Sequence, residues 1–341
     1  MEWVEKLMEG TPRQSYASTF PPDRFYCLLD ELPLHLIPGR ERARLRDDPP
    51  AGPLFLNSEC ILCRSGVLPS ALSSQDELFA RFALQGSVAW VPSASGSLLP
   101  FWLGPRLDAF VQSLRRREPI FPTVEWERVD WDLCQLLLKA GILVAADDAA
   151  GPKKGIGAIF AKSALLFRTK GYAPLGDLIH PFHVAALRRY YRYLIRSGAL
   201  PLGDGQSARR YVAYNDPVAR FFHRQICATL SAVAGEELKP SYVYLASYLS
   251  GAELKKHTDR AQCEYSVTLC LDFSPVPQLE TLWPIRLDTP SGTTTVYQAI
   301  GDGLAYRGTR VPHYRDVLGI GQTSTSIFFH YVPADFLGSL D

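Results

Sequence analysis

The side chains best suited to chemistry lie between Lys255 and Asp316. His257 and Asp259 are separated by one residue in KKHTDRAQCEYSVTLCLDF, and His313 follows in GDGLAYRGTRVPHYRD. Two imidazoles and one carboxylate can occupy one face of an octahedral ferrous ion and leave the opposite face open. Residues i and i+2 of an extended chain share a face, so an HxD pair at the mouth of a strand aims both side chains the same way. His313 must then arrive from a strand that folds back beside the first, as a rolled sheet allows. An HxD pair alone is weak, and its weight here comes from the β-rich setting and the segment before His313.

The elements that must position these residues are legible as patterns. From Pro240 onward, SYVYLASYL, EYSVTLCLDF, WPIRLDT, TTTVYQA, GLAYRG and TSTSIFFHYV read as strands. The breaks between them are turn signals such as SPVPQ, PSG and IGDG, which argues for a β-sandwich or barrel. Two helices should precede the strands. One opens at His180-Pro181 and runs to Gly198, and the other is capped by Asn215 or Asp216, has Pro217 in its first turn and ends at Gly235. AIFAKSALLFRTKGYAPL reads as one or two strands. His180, His183 and His223 fall on or beside the helices and are expected to be structural. His330, on the final strand, is expected in the core or as a support for the ligands, because a fourth ligand would close the open face.

The first half is organised differently. SVAWV and LLPFWLG flank PSASGS as a hairpin would. PRLDAFVQSLRRRE has Leu107, Phe110, Val111 and Leu114 on one helical face, and DWDLCQLLLKAGILV has Asp130 as a candidate cap and Gly141 as a stop. The small, charged, Gly-rich segment 147–157 suggests a boundary, giving an N-terminal lobe over 1–150 and a second domain over 151–341.

Residues 158–341 resemble the prolyl-hydroxylase-like branch of the Fe(II)/2-oxoglutarate-dependent dioxygenases. SYLSGAELKKHTD resembles that branch's tyrosine-containing strand leading into its HxD motif, and GDGLAYRGTRVPHYRD resembles the segment before its distal His. The resemblance implies an α+β fold, a double-stranded β-helix (cupin-like jelly roll) buttressed by helices. It implies His257, Asp259 and His313 as iron ligands, 2-oxoglutarate as cosubstrate, O2 as oxidant and hydroxylation of an unactivated C–H bond. Residues 51–150 loosely resemble a winged-helix module of the kind that recognises peptides, with a plain accessory lobe as the alternative.

One departure bears on the cosubstrate. The family places an Arg or Lys on the last core strand for the far carboxylate of 2-oxoglutarate, but here that region reads Gln322-Thr323-Ser324-Thr325-Ser326. A buried dicarboxylate without a charge partner is costly. Arg315 is expected to supply the cation, then Arg307, with hydroxyl help from Thr325 or Ser326 and hydrogen bonds from Tyr248 or Tyr265. Arg260 and Arg310 are candidates for the substrate, and Arg260 alternatively for orienting Asp259.

The bulk composition narrows the partners. The formal net charge of +1 gives no general reason to expect nucleic acid, and no apolar run approaches the ~20 residues of a membrane span. Seven Cys without regular spacing suggest reduced thiols and a cytoplasmic protein, with Cys60 and Cys63 ordinary buried thiols. The expected substrate is an amino-acid residue in a peptide or protein. A free amino acid or small natural product is the alternative, and a cupin-like metal-binding protein without oxygenase activity is the rival reading.

Overall fold

The structure is a computed structural model that describes residues 20–45, 54–93, 95–115, 131–145 and 155–340. Asp130 and most of the expected boundary segment 147–157 lie outside these residues. In chain order the first half contributes β1 (Leu54–Leu56), β2 (Ile61–Cys63), β3 (Ser87–Pro92), β4 (Leu98–Leu103), α1 (Pro105–Arg115), α2 (Trp131–Lys139) and β5 (Leu143–Ala145). β3 and β4 form the hairpin around PSASGS, β2 adds to its edge, and β5 returns to pair with β1.

The second half contributes α3 (Ala161–Lys170), β6 (Tyr172–Leu175), α4 (Pro181–Arg196), β7 (Arg210–Tyr214), α5 (Pro217–Ala234) and β8 (Leu238–Tyr248). Then follow β9 (Leu254–His257), β10 (Tyr265–Ser274), β11 (Ile285–Thr289), β12 (Gly292–Val296), β13 (Gly303–Arg307), β14 (His313–Arg315) and β15 (Thr323–Pro333). They form a six-stranded sheet, β6-β13-β10-β15-β8-β7, and a four-stranded sheet, β12-β11-β14-β9, with every pairing antiparallel. The chain passes back and forth between the two sheets, which makes the domain a double-stranded β-helix and the chain α+β.

Alternation along the strands separates an inner from an outer face. Leu304 and Tyr306 of β13 join Ile285, Leu287, Tyr172 and Val311 in a small core between the sheets. Ala305, Val267, Leu269 and Phe329 face the other way and join the main core with the helices. That main core runs continuously from Phe20 to Tyr331, so the N-terminal lobe and the β-helix domain share it.

The two long helices begin where their caps direct. The His180 ring accepts the Phe182 N–H with Pro181 in the first turn, and the Asp216 carboxylate accepts from Val218 and Ala219 with Pro217 beside it. Buried side chains then fasten α4 to the N-terminal lobe. His183 Nε2 donates to the Pro100 carbonyl at 2.8 Å and His180 Nε2 to that of Lys139 at 2.9 Å. Arg188 bonds Asp272 of β10 at 2.8 Å while also reaching the Leu36 carbonyl.

Residues 161–170 correct the strand reading of the segment before Gly171. They form α3, in which only Ala164 and Phe167 are buried, and Gly171 closes it at φ 78° with its N–H on the Phe167 carbonyl. A Gly in the left-handed region is a standard helix stop, and only YAPL after it is strand.

The buried histidines make stability depend on pH. Burial drives His180 down to about 4 and His183 to about 3, from an ordinary 6.5. Both stay neutral in the folded state while the unfolded chain takes up protons below about pH 6.5. Stability is therefore full above that pH and falls as pH drops toward 4, by about 1.4 kcal/mol per pH unit for each such group. Urea unfolding across pH 7 to 4.5 should show this slope. His183→Gln, which keeps a donor for Pro100, should flatten it by one histidine's share.

Candidate metal centre

The site is built where β9 and β14 pair. Their register sets His257 opposite His313, with ring centroids 4.4 Å apart. Asp259 lies just past β9, where its N–H donates to the Gly308 carbonyl at 2.8 Å. Asp259 Oδ1 stands 3.5 Å from Nε2 of His257 and 3.5 Å from Nε2 of His313. Metal bonds of roughly 2.1 Å at right angles would set donors about 3 Å apart, so a small contraction would close the three on one ion.

Hydrogen bonds fix which ring nitrogens are free. His257 Nδ1 lies 2.7 Å from the Lys255 carbonyl and His313 Nδ1 lies 3.0 Å from that of Val311. A carbonyl can only accept, so each Nδ1 carries a proton and each Nε2 faces the shared space, where it can ligate a metal once it holds no proton of its own. Ser266 Oγ donates to Asp259 Oδ2 at 3.0 Å, leaving Oδ1 for the ligand position. The three side chains form a burial gradient, 3% exposed at His313, 12% at Asp259 and 33% at His257.

Electrostatics without an ion follow from this packing. Burial opposes charge on Asp259, but the hydrogen bond from His257, the nearby imidazoles and Ser266 together hold its carboxyl below the ordinary range. The hydrogen bond to Asp259 raises His257, while burial lowers His313. A metal ion binding here would displace a proton from the His257–Asp259 pair.

Arg315 lies two residues beyond His313 and is 4% exposed. Its guanidinium donates to the Trp283 carbonyl and to Gln298 Oε1 at 3.1 Å, with the Trp283 ring 4.9 Å from its carbon. Gln298 is itself held by bonds from its amide to the Thr268 and Asp302 carbonyls. Among the described residues no carboxylate lies within ion-pair distance of Arg315. Burial pulls its affinity for the proton down, yet a guanidinium stays charged in proteins, so this is a buried cation without an anion. Near it are the Tyr248 and Tyr306 hydroxyl groups, whose own ionisation burial suppresses.

The remaining sequence candidates divide by face. Tyr248 is inward, with its ring 5.0 Å from that of Trp283, and takes a hydrogen bond from Arg210 at 3.1 Å. Ser326 alternates with Phe328 and His330, which line the cavity below. Thr325 faces the helices, where its hydroxyl bonds that of Ser247 at 2.8 Å. Tyr265 and Arg307 are also outward. They bond each other at 3.1 Å beside Phe167 of α3, and Tyr265 reaches Glu236. Arg310 is exposed and pairs with Glu264 at 3.5 Å. Of these candidates Tyr248 lines the cavity, Arg315 and Ser326 are buried without lining it among the described residues, and Thr325, Tyr265, Arg307 and Arg310 make their bonds elsewhere. Arg260 lines the cavity beside Asp259.

Three contributors lie outside the sequence expectations. Tyr306 packs its ring 4.6 Å from His313, and the alternation of GLAYRG could have placed it inward, opposite in phase to Arg307. Arg210 is buried on β7, paired with Asp204 at 2.5 Å, and nothing in the sequence distinguishes it from a surface arginine. Gly308 is needed for space, since a Cβ there would collide with Asp259 Oδ2 and the Cys263 carbonyl. His180, His183 and His223 each donate to a backbone carbonyl away from this site.

A cavity of about 1010 Å³ opens onto the three donors, and the described residues that line it fall between 204 and 330. Comparison with known proteins comes from structure alone. No family model and no curated protein sequence matches the chain. Among solved structures, the non-heme alpha-ketoglutarate-dependent carbocyclase SnoK from nogalamycin biosynthesis is 12% identical over 54% of this chain and 88% of its own, with a TM-score of 0.45. The epimerase SnoN from the same biosynthesis is 15% identical over 52% of this chain and 82% of its own, at 0.44. A Pseudomonas putida prolyl-4-hydroxylase is 17% identical over 51% of this chain and 98% of its own, at 0.41. At these identities and scores no reaction or substrate is carried over, and the fold rests on the sheet order described above.

Gly308→Ala tests the geometry. The added methyl should push Asp259 away from the two histidines while leaving the helical core untouched. Calorimetric titration with ferrous ion under argon should show affinity at least tenfold lower than wild type, with an unchanged far-ultraviolet spectrum.

Proposed function

We propose that the protein is a non-haem Fe(II)/2-oxoglutarate-dependent dioxygenase that hydroxylates an unactivated C–H bond. The observation that carries this reading is the pairing of a two-His, one-carboxylate pole with a buried guanidinium that has no carboxylate of its own. His257, Asp259 and His313 would hold the iron, and Arg315 would take the far carboxylate of 2-oxoglutarate. When bound, iron and 2-oxoglutarate supply the oxidising power, with O2 consumed and the cosubstrate decarboxylated to succinate.

The protein's own contribution is placement. Arg315 is pinned by Trp283 and Gln298, so its remaining N–H groups are pre-aimed and little side-chain entropy is lost when a carboxylate arrives. Tyr306 and Tyr248 lie beside it as neutral hydroxyl donors. Ser326 offers a hydroxyl from β15, the strand that carries no cation. The Lys255 and Val311 carbonyls keep both imidazoles in the metal-binding tautomer.

The substrate enters from the open side of the cavity. An amino-acid residue of a peptide was the expected substrate, with residues 51–150 helping to recognise it. Among the described residues, the cavity wall draws on none before residue 204, and this supports the alternative of a free amino acid or small natural product. The rival, a metal-binding protein without oxygenase activity, leaves the lone charge of Arg315 without a purpose.

Anaerobic addition of ferrous ion and then 2-oxoglutarate should produce a weak visible charge-transfer band. His257→Ala should abolish it. Arg315→Met should still bind iron but need at least tenfold more 2-oxoglutarate, a loss of about 1.4 kcal/mol or more. A wild-type protein that binds iron without the band would favour the rival.

A further inference from the structure

The cavity's charges are unbalanced in a way the iron and cosubstrate do not use. Its cationic lining residues are Arg209, Arg210, Lys255 and Arg260, and its acids are Asp204, Glu253 and Asp259. Asp204 is neutralised by Arg210, and Asp259 belongs to the metal pole. Among the described lining residues, Arg209, Lys255 and Arg260 therefore stand against one carboxylate, Glu253, which favours an anion in the cavity.

Arg260 is the cation nearest the reacting centre, since it follows Asp259 directly. Its guanidinium carbon lies 4.8 Å from the centre of the Tyr242 ring, and its Nε donates to the Tyr242 hydroxyl at 3.3 Å. That contact holds the arginine in place while no carboxylate pairs with it among the described residues. The Tyr242 ring continues outward to Tyr214 at 5.2 Å and inward to the His330 ring at 4.6 Å. Tyr244 and Phe328 add to the same wall.

His330 supplies a second, independent contact. It is 6% exposed and lines the cavity. Ser266 Oγ lies 2.9 Å from His330 Nδ1. The single Ser266 hydrogen faces two groups that can only accept, the Asp259 carboxylate and the Cys263 carbonyl, so toward His330 the oxygen accepts and Nδ1 carries the ring proton. The lone pair on Nε2 is then left without a hydrogen-bond partner among the described residues. His330, Cys263 and Asp259 each bring one ligand atom within 4.8 Å of the others, which puts the His330 ring beside the metal pole.

We propose that the substrate is a small molecule bearing an oxyanion, a carboxylate or phosphate, taken by Arg260, an aromatic or other flat body laid along Tyr242 and Phe328, and an O–H or N–H donated to His330. The proposal rests on the oxygenase reading for its chemistry but not for its binding. It assigns Arg260 to substrate selection and His330 to orienting the substrate next to the iron pole.

The test is calorimetric titration of the full, metal-free chain with four probes: 4-hydroxyphenylacetate, 4-hydroxyphenyl phosphate, the neutral 4-hydroxyphenylacetamide, and phenylacetate, which lacks the hydroxyl. At least one hydroxylated anion should bind tenfold or more tightly than the amide, and the tighter of the two names the oxyanion. Arg260→Gln should remove that preference without moving the melting temperature, because the side chain is exposed. Arg260→Lys should recover part of it. Arg315→Met should leave it in place, which separates this site from the cosubstrate pocket. His330→Phe should lower 4-hydroxyphenylacetate to the affinity of phenylacetate. No preference for either anion, or a preference that survives Arg260→Gln, overturns the proposal. Either result is independent of the ferrous titration above, so a failure here and a failure of the oxygenase reading are told apart.

Discussion

Two short strands, Leu254–His257 and His313–Arg315, hold His257 opposite His313 in antiparallel register. The site depends on that register, because a slip of one residue would turn either imidazole to the other face of the sheet. Neither strand is long enough to fix it alone. Leu287 of β11 pairs with His313 from the other side, and the Asp259 N–H ties the turn after β9 to Gly308 before β14. Tyr306 and Val311 pack beneath. The turn at Gly308 has no room for a side chain, so the approach of Asp259 to the two histidines is set by backbone.

From that pairing the interior grades from buried cation to open surface. Arg315, Trp283, Gln298 and His313 are all buried, Asp259 and His257 are progressively more exposed, and Arg260 and Tyr214 are at the surface. A buried guanidinium with only neutral acceptors is destabilising by itself. It is tolerable if the functional state brings an anion to it, and in the proposed oxygenase that anion is the cosubstrate. The same logic applies less severely at the mouth, where Arg260 is exposed and solvated until a substrate arrives. The shared core and the buried bonds from α4 to Pro100, Lys139 and Leu36 make the N-terminal lobe a fixed brace for the large sheet.

Much of the β-helix domain was legible because its strands alternate and its turns carry Gly, Pro and Ser. The two long helices announced themselves through His180-Pro181 and Asp216-Pro217. Residues 161–170 were misread because Phe160, Leu165, Leu166 and Phe167 look like a strand when taken singly. The αL glycine at 171 is what ends them as a helix. The clustering of His257, Asp259 and His313 is legible from spacing and context, while Arg315 is singled out by a charge argument and its lack of a carboxylate partner among the described residues emerges only from the fold. Thr325, Tyr265 and Arg307 were candidates by proximity in sequence, and strand alternation turns them outward. Arg210, whose importance comes from burial against Asp204 and Tyr248, could not be separated from other arginines before the fold was known.

The central claim is that one ion and one dicarboxylate bind at two linked points, the histidine–aspartate pole and Arg315. Crystals grown without oxygen, loaded with ferrous ion and 2-oxoglutarate and measured at the iron absorption edge, test it most directly. The account predicts one strong anomalous peak within bonding distance of His257 Nε2, His313 Nε2 and Asp259 Oδ1, and a carboxylate of 2-oxoglutarate on the Arg315 guanidinium. A peak centred instead on Cys263 and His330, or 2-oxoglutarate seated on Arg210 or Arg260, would contradict it.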